Sequence, residues 1–173
     1  MDELVGLLQT AGVLGFRKRA RSKVGVFTVV KTDGSLRLVV DCRLPNALHK
    51  PPPYTDLATA GAFANLKFSD EALGIGGGSS TPPLRITVSE LDLVDSFYQF
   101  SFEEVGSFFC LDHRVRASQF SVTEVFDDDT GGFVAVGPDD WLWPAFRVMP
   151  MGWTWSLWLC HGALVEAMVH AEP

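Results

Sequence analysis

The sequence predicts an α+β fold, and three observations carry that expectation. Leu4, Val5, Leu7 and Leu8 fall at helical spacing. Two β-branched runs flank an Asp33-Gly34 turn, and an apolar stripe at helical period closes the chain after several short strand-like runs. Strand and helix do not alternate regularly, which argues against a doubly wound parallel sheet. At 173 residues the chain is one domain or one large piece of a bigger one.

The first helix is expected over Asp2–Ala11, with Asp2 and Glu3 at the end where the helix dipole favours acids and Gly12 and Gly15 stopping it. Val24–Val30 and Arg37–Asp41 then read as a hairpin joined through Lys31–Leu36, with Lys31 and Arg37 at its shoulders. Cys42–Lys50 reads as irregular, Pro51-Pro52-Pro53 as an extended connector, and Leu57–Leu66 as a short helix. Residues 67–83 hold Gly74, Gly76, Gly77, Gly78, Pro82 and Pro83 and read as an inserted surface loop. No strand leads into that loop and no helix follows, so it is not a dinucleotide fingerprint. Leu84–Leu93 reads as a strand. Further strands are expected at Phe97–Phe102, Ser107–Leu111, Ala117–Phe126, Phe133–Val136 and Phe146–Met149, with turns at Asp127–Gly132 and Pro138–Asp140. Ser156–Ala171 reads as a helix with Leu157, Cys160, Leu164 and Met168 on one stripe and Leu159 and Val165 nearby.

Composition narrows the function classes. With 47% hydrophobic and 20% charged residues the chain is globular, not disordered. Three cysteines without a CxxC pair (Cys42, Cys110, Cys160) make neither a disulfide scaffold nor a zinc knuckle. The four histidines lack HExxH spacing, and there is no Gly-x-Ser-x-Gly elbow. No run approaches the ~20 apolar residues of a membrane span. Met1-Asp2-Glu3 carries acids where a signal peptide carries bases, so an intracellular protein, nuclear or cytoplasmic, is expected.

The net charge of -7 speaks against a nucleic-acid partner until it is divided along the chain. Residues 1–50 hold nine Lys/Arg and four Asp/Glu, a net of +5, and the remainder carries -12. Within the basic front, Arg17, Lys18, Arg19, Arg21 and Lys23 form a run with no apolar period. It reads equally as a solvated loop or as a phosphate-contacting or nuclear-import segment.

Two acidic segments compete as sites. In Leu91-Asp-Leu-Val-Asp-Ser-Phe-Tyr98, Asp92 ends an apolar strand, where a carboxylate beside a backbone carbonyl suits Mg²⁺; the same pattern also describes a solvated strand end. Asp129-Thr-Gly131 spells the aspartic-protease triplet, but no apolar strand immediately precedes Asp129, and a turn is the better reading.

Three blocks in order give a resemblance. Lys31-Thr-Asp-Gly-Ser-Leu-Arg-Leu-Val-Val-Asp-Cys-Arg-Leu-Pro-Asn46, Leu91-Asp-Leu-Val-Asp-Ser-Phe-Tyr98 and Met149-Pro-Met-Gly-Trp-Thr-Trp-Ser156 together resemble the reverse transcriptases of retroelements, over most of the chain outside the Gly-rich loop. The resemblance implies the fingers and a partial palm of a right-hand polymerase: residues 1–66 fingers-like, 67–83 an insertion, 84–173 partial palm. It implies RNA-directed DNA synthesis on an RNA or DNA template-primer with dNTPs, by two-Mg²⁺ chemistry and without a membrane.

Position by position, the resemblance makes Asp92 the first catalytic aspartate and a metal ligand, with the Leu93 backbone carbonyl beside it. Lys31 and Arg37 would grip the triphosphate, Phe97 would be the gate against a ribose 2′-hydroxyl, and Asp95 would support that pocket. Met151 and Gly152 would line the nascent base pair, and Arg17, Lys18, Arg19, Arg21 and Lys23 would meet the polynucleotide. Asp41 and Arg43 are expected to hold structure. Met151 stands where relatives carry Gln or Phe, and Trp155 and Trp158 also depart from the family's pattern.

The aromatic-x-Asp-Asp hairpin that should follow is not in the sequence; Val125-Phe-Asp-Asp128 imitates it but precedes the Met-Gly-Trp block. A downstream palm and thumb segment is therefore expected to be required for activity. A non-catalytic nucleic-acid-binding module that keeps the fold is the alternative, and a plain α+β interaction domain a third.

Overall fold

The computed structural model describes residues 1–55, 57, 59, 61, 64–69 and 94–170. Helix α1 (Asp2–Thr10) forms as its spacing dictates and seats Val5 in the core. Gly12, at φ 73, turns the chain into β1 (Leu14–Arg17). Strands β2 (Lys23–Val30) and β3 (Leu36–Asp41) pair antiparallel from Gly25↔Asp41 to Val30↔Leu36. Their turn is closed by Lys31 N–H to Ser35 O at 2.8 Å, with Gly34 at φ 82.

Cys42–Lys50, expected to be irregular, contains helix α2 (Arg43–Leu48). Pro45 is its third residue, where a missing N–H removes no helical bond.

The second half contributes short strands: β4 (Cys110–Leu111), β5 (Val115–Arg116), β6 (Glu124–Asp127), β7 (Gly132–Ala135) and β8 (Trp141–Phe146). The main sheet runs β1-β8-β4-β2-β3, with β5 also on β8, while β6 and β7 form a separate hairpin. Among the described residues only the β2–β4 pairing is parallel, Lys23↔Cys110 and Val24↔Leu111. Leu14, Phe16, Val24, Phe109, Leu111, Val115, Leu142 and Phe146 fill the core beneath this sheet. Helix α3 (Thr154–His170) follows the Met149–Trp153 segment.

Several expected strands are corrected. Phe97–Phe102 is a 3₁₀ turn (Ser96–Gln99) leading to an isolated Ser101↔Val148 bridge. Asp95 adopts the left-handed region at φ 51, and Tyr98 N–H returns to Asp95 O at 2.9 Å, coiling the chain before it can extend. Ser107–Leu111 keeps only β4 as strand, because Glu103–Phe108 is a 3₁₀ stretch folded around the Arg17 side chain. Ala117–Phe126 begins as a 3₁₀ turn (Ala117–Phe120) ended by Ser121 at φ 53, and extends only from Glu124.

The strand expected at Phe146–Met149 lies earlier, at Trp141–Phe146, and contains Pro144. Phe146 N–H points to Phe109 O, and two residues back Pro144 faces the same side, between the end of β4 and the start of β5, where no ladder donor is required. The α3 stripe expected to pack is mostly exposed: helix burial falls on Ser156 and Cys160, while Leu157, Leu164, Val165 and Met168 face outward.

Compactness divides the chain into Met1–Tyr54 with Asp95–Pro173, and Thr55–Val94. This differs from the division at 66/67 and 83/84, because β1–β3 share one sheet with β4 and β8. In the smaller unit, Asn65 N–H reaches Gly61 O at 3.1 Å, one helical turn within the expected Leu57–Leu66 helix. The rest of that helix in part, residues 70–83 of the loop, and the Leu84–Leu93 strand lie outside the described residues. No helix among the described residues is long and apolar enough to cross a membrane.

Candidate functional site

Two of the three sequence blocks meet at the base of the β2–β3 hairpin. Gly152 sits at φ 119, and a Cβ there would lie 2.8 Å from Val40 O and 3.7 Å from Cys42 Sγ. Only glycine permits both that backbone conformation and that approach. Asn46 fastens the contact: its Nδ2 donates to Gly152 O at 3.0 Å, and its Oδ1 accepts from Thr154 N–H at 3.0 Å. The second bond supplies a cap from a remote segment to the first residue of α3.

The aromatic run after Gly152 completes the seat. Trp153 is buried against His49, Phe102 and Phe109. Trp155 stacks obliquely on Trp153, meets Trp158 edge-on, and donates Nε1–H to Lys50 O at 2.6 Å. Trp155 thus ties the loop to the Cys42–Lys50 segment.

The third block approaches the same corner through Tyr98. Burial, the Asp95 carboxylate and Cys42 together push its phenol above the ordinary tyrosine value. Phe97 is half-buried on the same 3₁₀ turn and Asp95 is exposed. Asp92 and Leu93 lie outside the described residues.

One concavity of about 320 Å³ opens at this corner, lined by Phe27, Val39, Asp41, Arg43, Asn46 and Gly152 among others. Cross-strand register puts Val29 opposite Arg37 and Phe27 opposite Val39, so Arg37, Val39 and Asp41 share one face of the hairpin. Arg37 and Lys31 are exposed at its far end and make no ion pair among the described residues. Asp41 is held below the usual carboxylate range by its side-chain hydrogen bonds from Arg43, 2.6 Å at the closest. The pair closes on itself, in keeping with a structural role. Burial and then Asp41 push the Cys42 thiol up to about 12, so it is no nucleophile.

The basic run behaves differently from its sequence reading. Arg17, expected to meet a polynucleotide, is 3% exposed and paired with Glu103 at 2.7 Å; it is a core cation, because β1, although an edge strand, is covered there by Glu103 and Phe126. Arg19 pairs with Asp129 at 2.7 Å, Arg21 with Asp128 at 3.5 Å and Lys23 with Asp112 at 2.6 Å. Lys18 donates to Ala135 O. All four acids come from the part of the chain that carries -12, so the fold pairs the basic run with acids of the other charge block.

The Asp127–Gly132 segment is a β6–β7 turn. Asp127 Oδ1 accepts from Asp129 and Thr130 N–H, and Gly131 sits at φ 67. The protease-like triplet is therefore turn chemistry, and the Phe126-Asp-Asp128 imitation turns Asp128 toward Arg21. Among the described residues no group of three His, Cys, Asp or Glu could hold a metal ion. Asp92 and Leu93, the Mg²⁺ donors that the resemblance implies, are not among those residues. No family model matches the chain, and no curated protein matches it.

Proposed function

We propose that the chain is a polymerase-type nucleotide- and polynucleotide-binding module resembling part of an RNA-directed DNA polymerase. The observation that carries this reading is the Asn46–Gly152 clamp. It sets the hairpin base and the Met-Gly-Trp loop, more than 100 residues apart in sequence, against one concavity whose hairpin face continues to Arg37. Four residues of strand, about 13 Å, separate Arg37 from Asp41. In this reading the sugar and base of a dNTP lie toward Gly152 and Met151, and the phosphates toward Arg37 and Lys31. Guanidinium and ammonium favour a polyanion by charge-assisted hydrogen bonds.

Asp92 and the Leu93 carbonyl are the Mg²⁺ donors the resemblance implies. One carboxylate does not retain two divalent ions against water, so the 173-residue chain is expected to bind nucleotide without extending a primer.

Equilibrium binding of dATP and ATP, with Phe97→Ala alongside, tests the site. Preference for dATP that collapses in the variant is expected; equal binding of both sugars by the parent chain would remove Phe97 from the gate. Primer extension by the parent chain, abolished in Asp92→Asn, would show the chain to be a polymerase by itself.

A further inference from the structure

A second surface, built mainly on β8 and β5, alternates cations with indoles. Lys23 Nζ lies 4.7 Å from the Trp143 ring centre, and the Arg114 guanidinium 5.5 Å from Trp143 and 5.7 Å from Trp141. Arg116 covers Trp141 at 4.5 Å. The order Lys23–Trp143–Arg114–Trp141–Arg116 follows from the fold. Trp141 and Trp143 share one face of β8 by the two-residue period, Arg116 stands directly across from Trp141 on β5, and Lys23 begins β2.

Cation–indole contact explains how the ladder stands; it does not explain its exposure. Trp141 is 45% exposed, and the Lys23 and Arg116 side chains are 43% and 41% exposed. Two carboxylates answer the three cations. Asp112 pairs with Lys23 at 2.6 Å, and Asp139 lies 3.6 Å from Arg116, which also donates to Asp139 O at 2.6 Å. Asp140 is turned back onto Gly137 N–H. Arg114 has no acidic partner among the described residues and donates only a long bond to Trp141 O at 3.5 Å. Surface ion pairs of this kind contribute about 0–1 kcal/mol.

We infer that this ladder is a track for a single-stranded polynucleotide, with guanidinium edges meeting phosphates and exposed indole and guanidinium planes stacking on bases. Aromatic planes interleaved with cations along a groove are the chemistry that holds unpaired strands without regard to sequence. An acidic peptide would use the charges but not the planes. The inference borrows only the ligand class from the proposed function; Arg116, Trp141 and Trp143 stand on β5 and β8, outside the hairpin, and the track needs no nucleotide transfer.

Fluorescence anisotropy of a labelled oligothymidine on the whole 173-residue chain, across a salt series, tests it. Arg114→Gln with Arg116→Gln should weaken binding about tenfold and lower the salt slope by about 1.4, since each single-strand phosphate contact contributes about 0.7. Trp141→Leu, at an exposed position, should weaken it about fivefold while leaving the salt slope unchanged. Lys31→Gln with Arg37→Gln should leave oligothymidine binding by the track in place. Circular dichroism and unfolding midpoints of each variant separate lost contact from lost fold. Unchanged binding in the folded ladder variants would overturn the track; if the hairpin variant alone lost binding, the hairpin reading would survive without it. Polyglutamate competing as well as oligothymidine would also overturn it, because the planes would then play no part.

Discussion

The hairpin tip and the Arg17–Lys23 run carry the same kind of charge in the sequence and opposite kinds of availability in the structure. Lys31 and Arg37 stand at a turn between two strands, with no acid paired to them among the described residues. Four of the five bases in the run are matched to Glu103, Asp112, Asp128 and Asp129. The lesson is that a basic run marks an interface only after its partners have been counted. A phosphate approaching the run must displace a carboxylate; one approaching the hairpin displaces water.

The largest expected effect comes from the buried end of the run. Arg17→Ala leaves Glu103 half-paired, still held by Arg147 at 2.8 Å, and should cost about 3–5 kcal/mol in urea unfolding. A loss below 1 kcal/mol would return Arg17 to the surface and weaken the comparison. Gly152→Ala should cost about 1–3 kcal/mol, since it forces a side chain against Val40 O at a positive φ; it should also depress dATP binding with the loop displaced. An unfolding midpoint equal to the parent's would contradict the close approach.

Lys31→Gln with Arg37→Gln should leave stability within about 0.5 kcal/mol while lowering dATP affinity about 10–100-fold, the range for lost charge-assisted hydrogen bonds. Asp129→Asn, which frees Arg19 from an exposed pair, should change stability by less than about 1 kcal/mol, and high salt should erase even that.

The thiols give a pH test. Burial pushes Cys42 and Cys110 to about 12 from an ordinary 9.0, so the folded state favours the neutral thiol. That contribution is complete below about 9 and is lost as pH rises through about 12. Alkylation of the folded chain at pH 8 should therefore be slow at both sites and fast once urea unfolds it.

What could be read from sequence follows from how far each signal reaches. Helix α1, the β2–β3 hairpin and the start of α3 announce themselves within ten residues or so, through period, turn residues and a glycine that must be glycine. The expected Ser107–Leu111 strand shrinks to Cys110–Leu111, and the two-residue strand Val115–Arg116 was not expected; both are defined by pairing with β8, which has Pro144 inside it. The same distance hid the ion pairs. Arg17 meets Glu103 86 residues on and Arg19 meets Asp129 110 residues on, so a charge tally along the chain separated blocks that the fold brings together. Lys31 and Arg37 could be placed at the shoulders of the hairpin because turn chemistry is a local demand; Gly152 was named as lining a base pair, while the neighbour it approaches, Val40, lies more than 100 residues away. Asn46 was visible as part of a block but not as a clamp, since its partners, Gly152 and Thr154, lie more than 100 residues away. Tyr98, the residue after the expected gate at Phe97, was hidden by the 3₁₀ turn that replaces the expected strand.

The central claim is that accessible charge at the hairpin, not total charge at the front of the chain, binds the nucleotide. Calorimetric titration of dATP into the parent chain, the Lys31→Gln/Arg37→Gln variant and an Arg19→Gln/Arg21→Gln variant tests it most directly. The account predicts a 10–100-fold weaker Kd for the hairpin variant, the range for lost charge-assisted hydrogen bonds, and a Kd within about twofold of the parent for the run variant. Weakening by the run variant with the hairpin variant unchanged would contradict it.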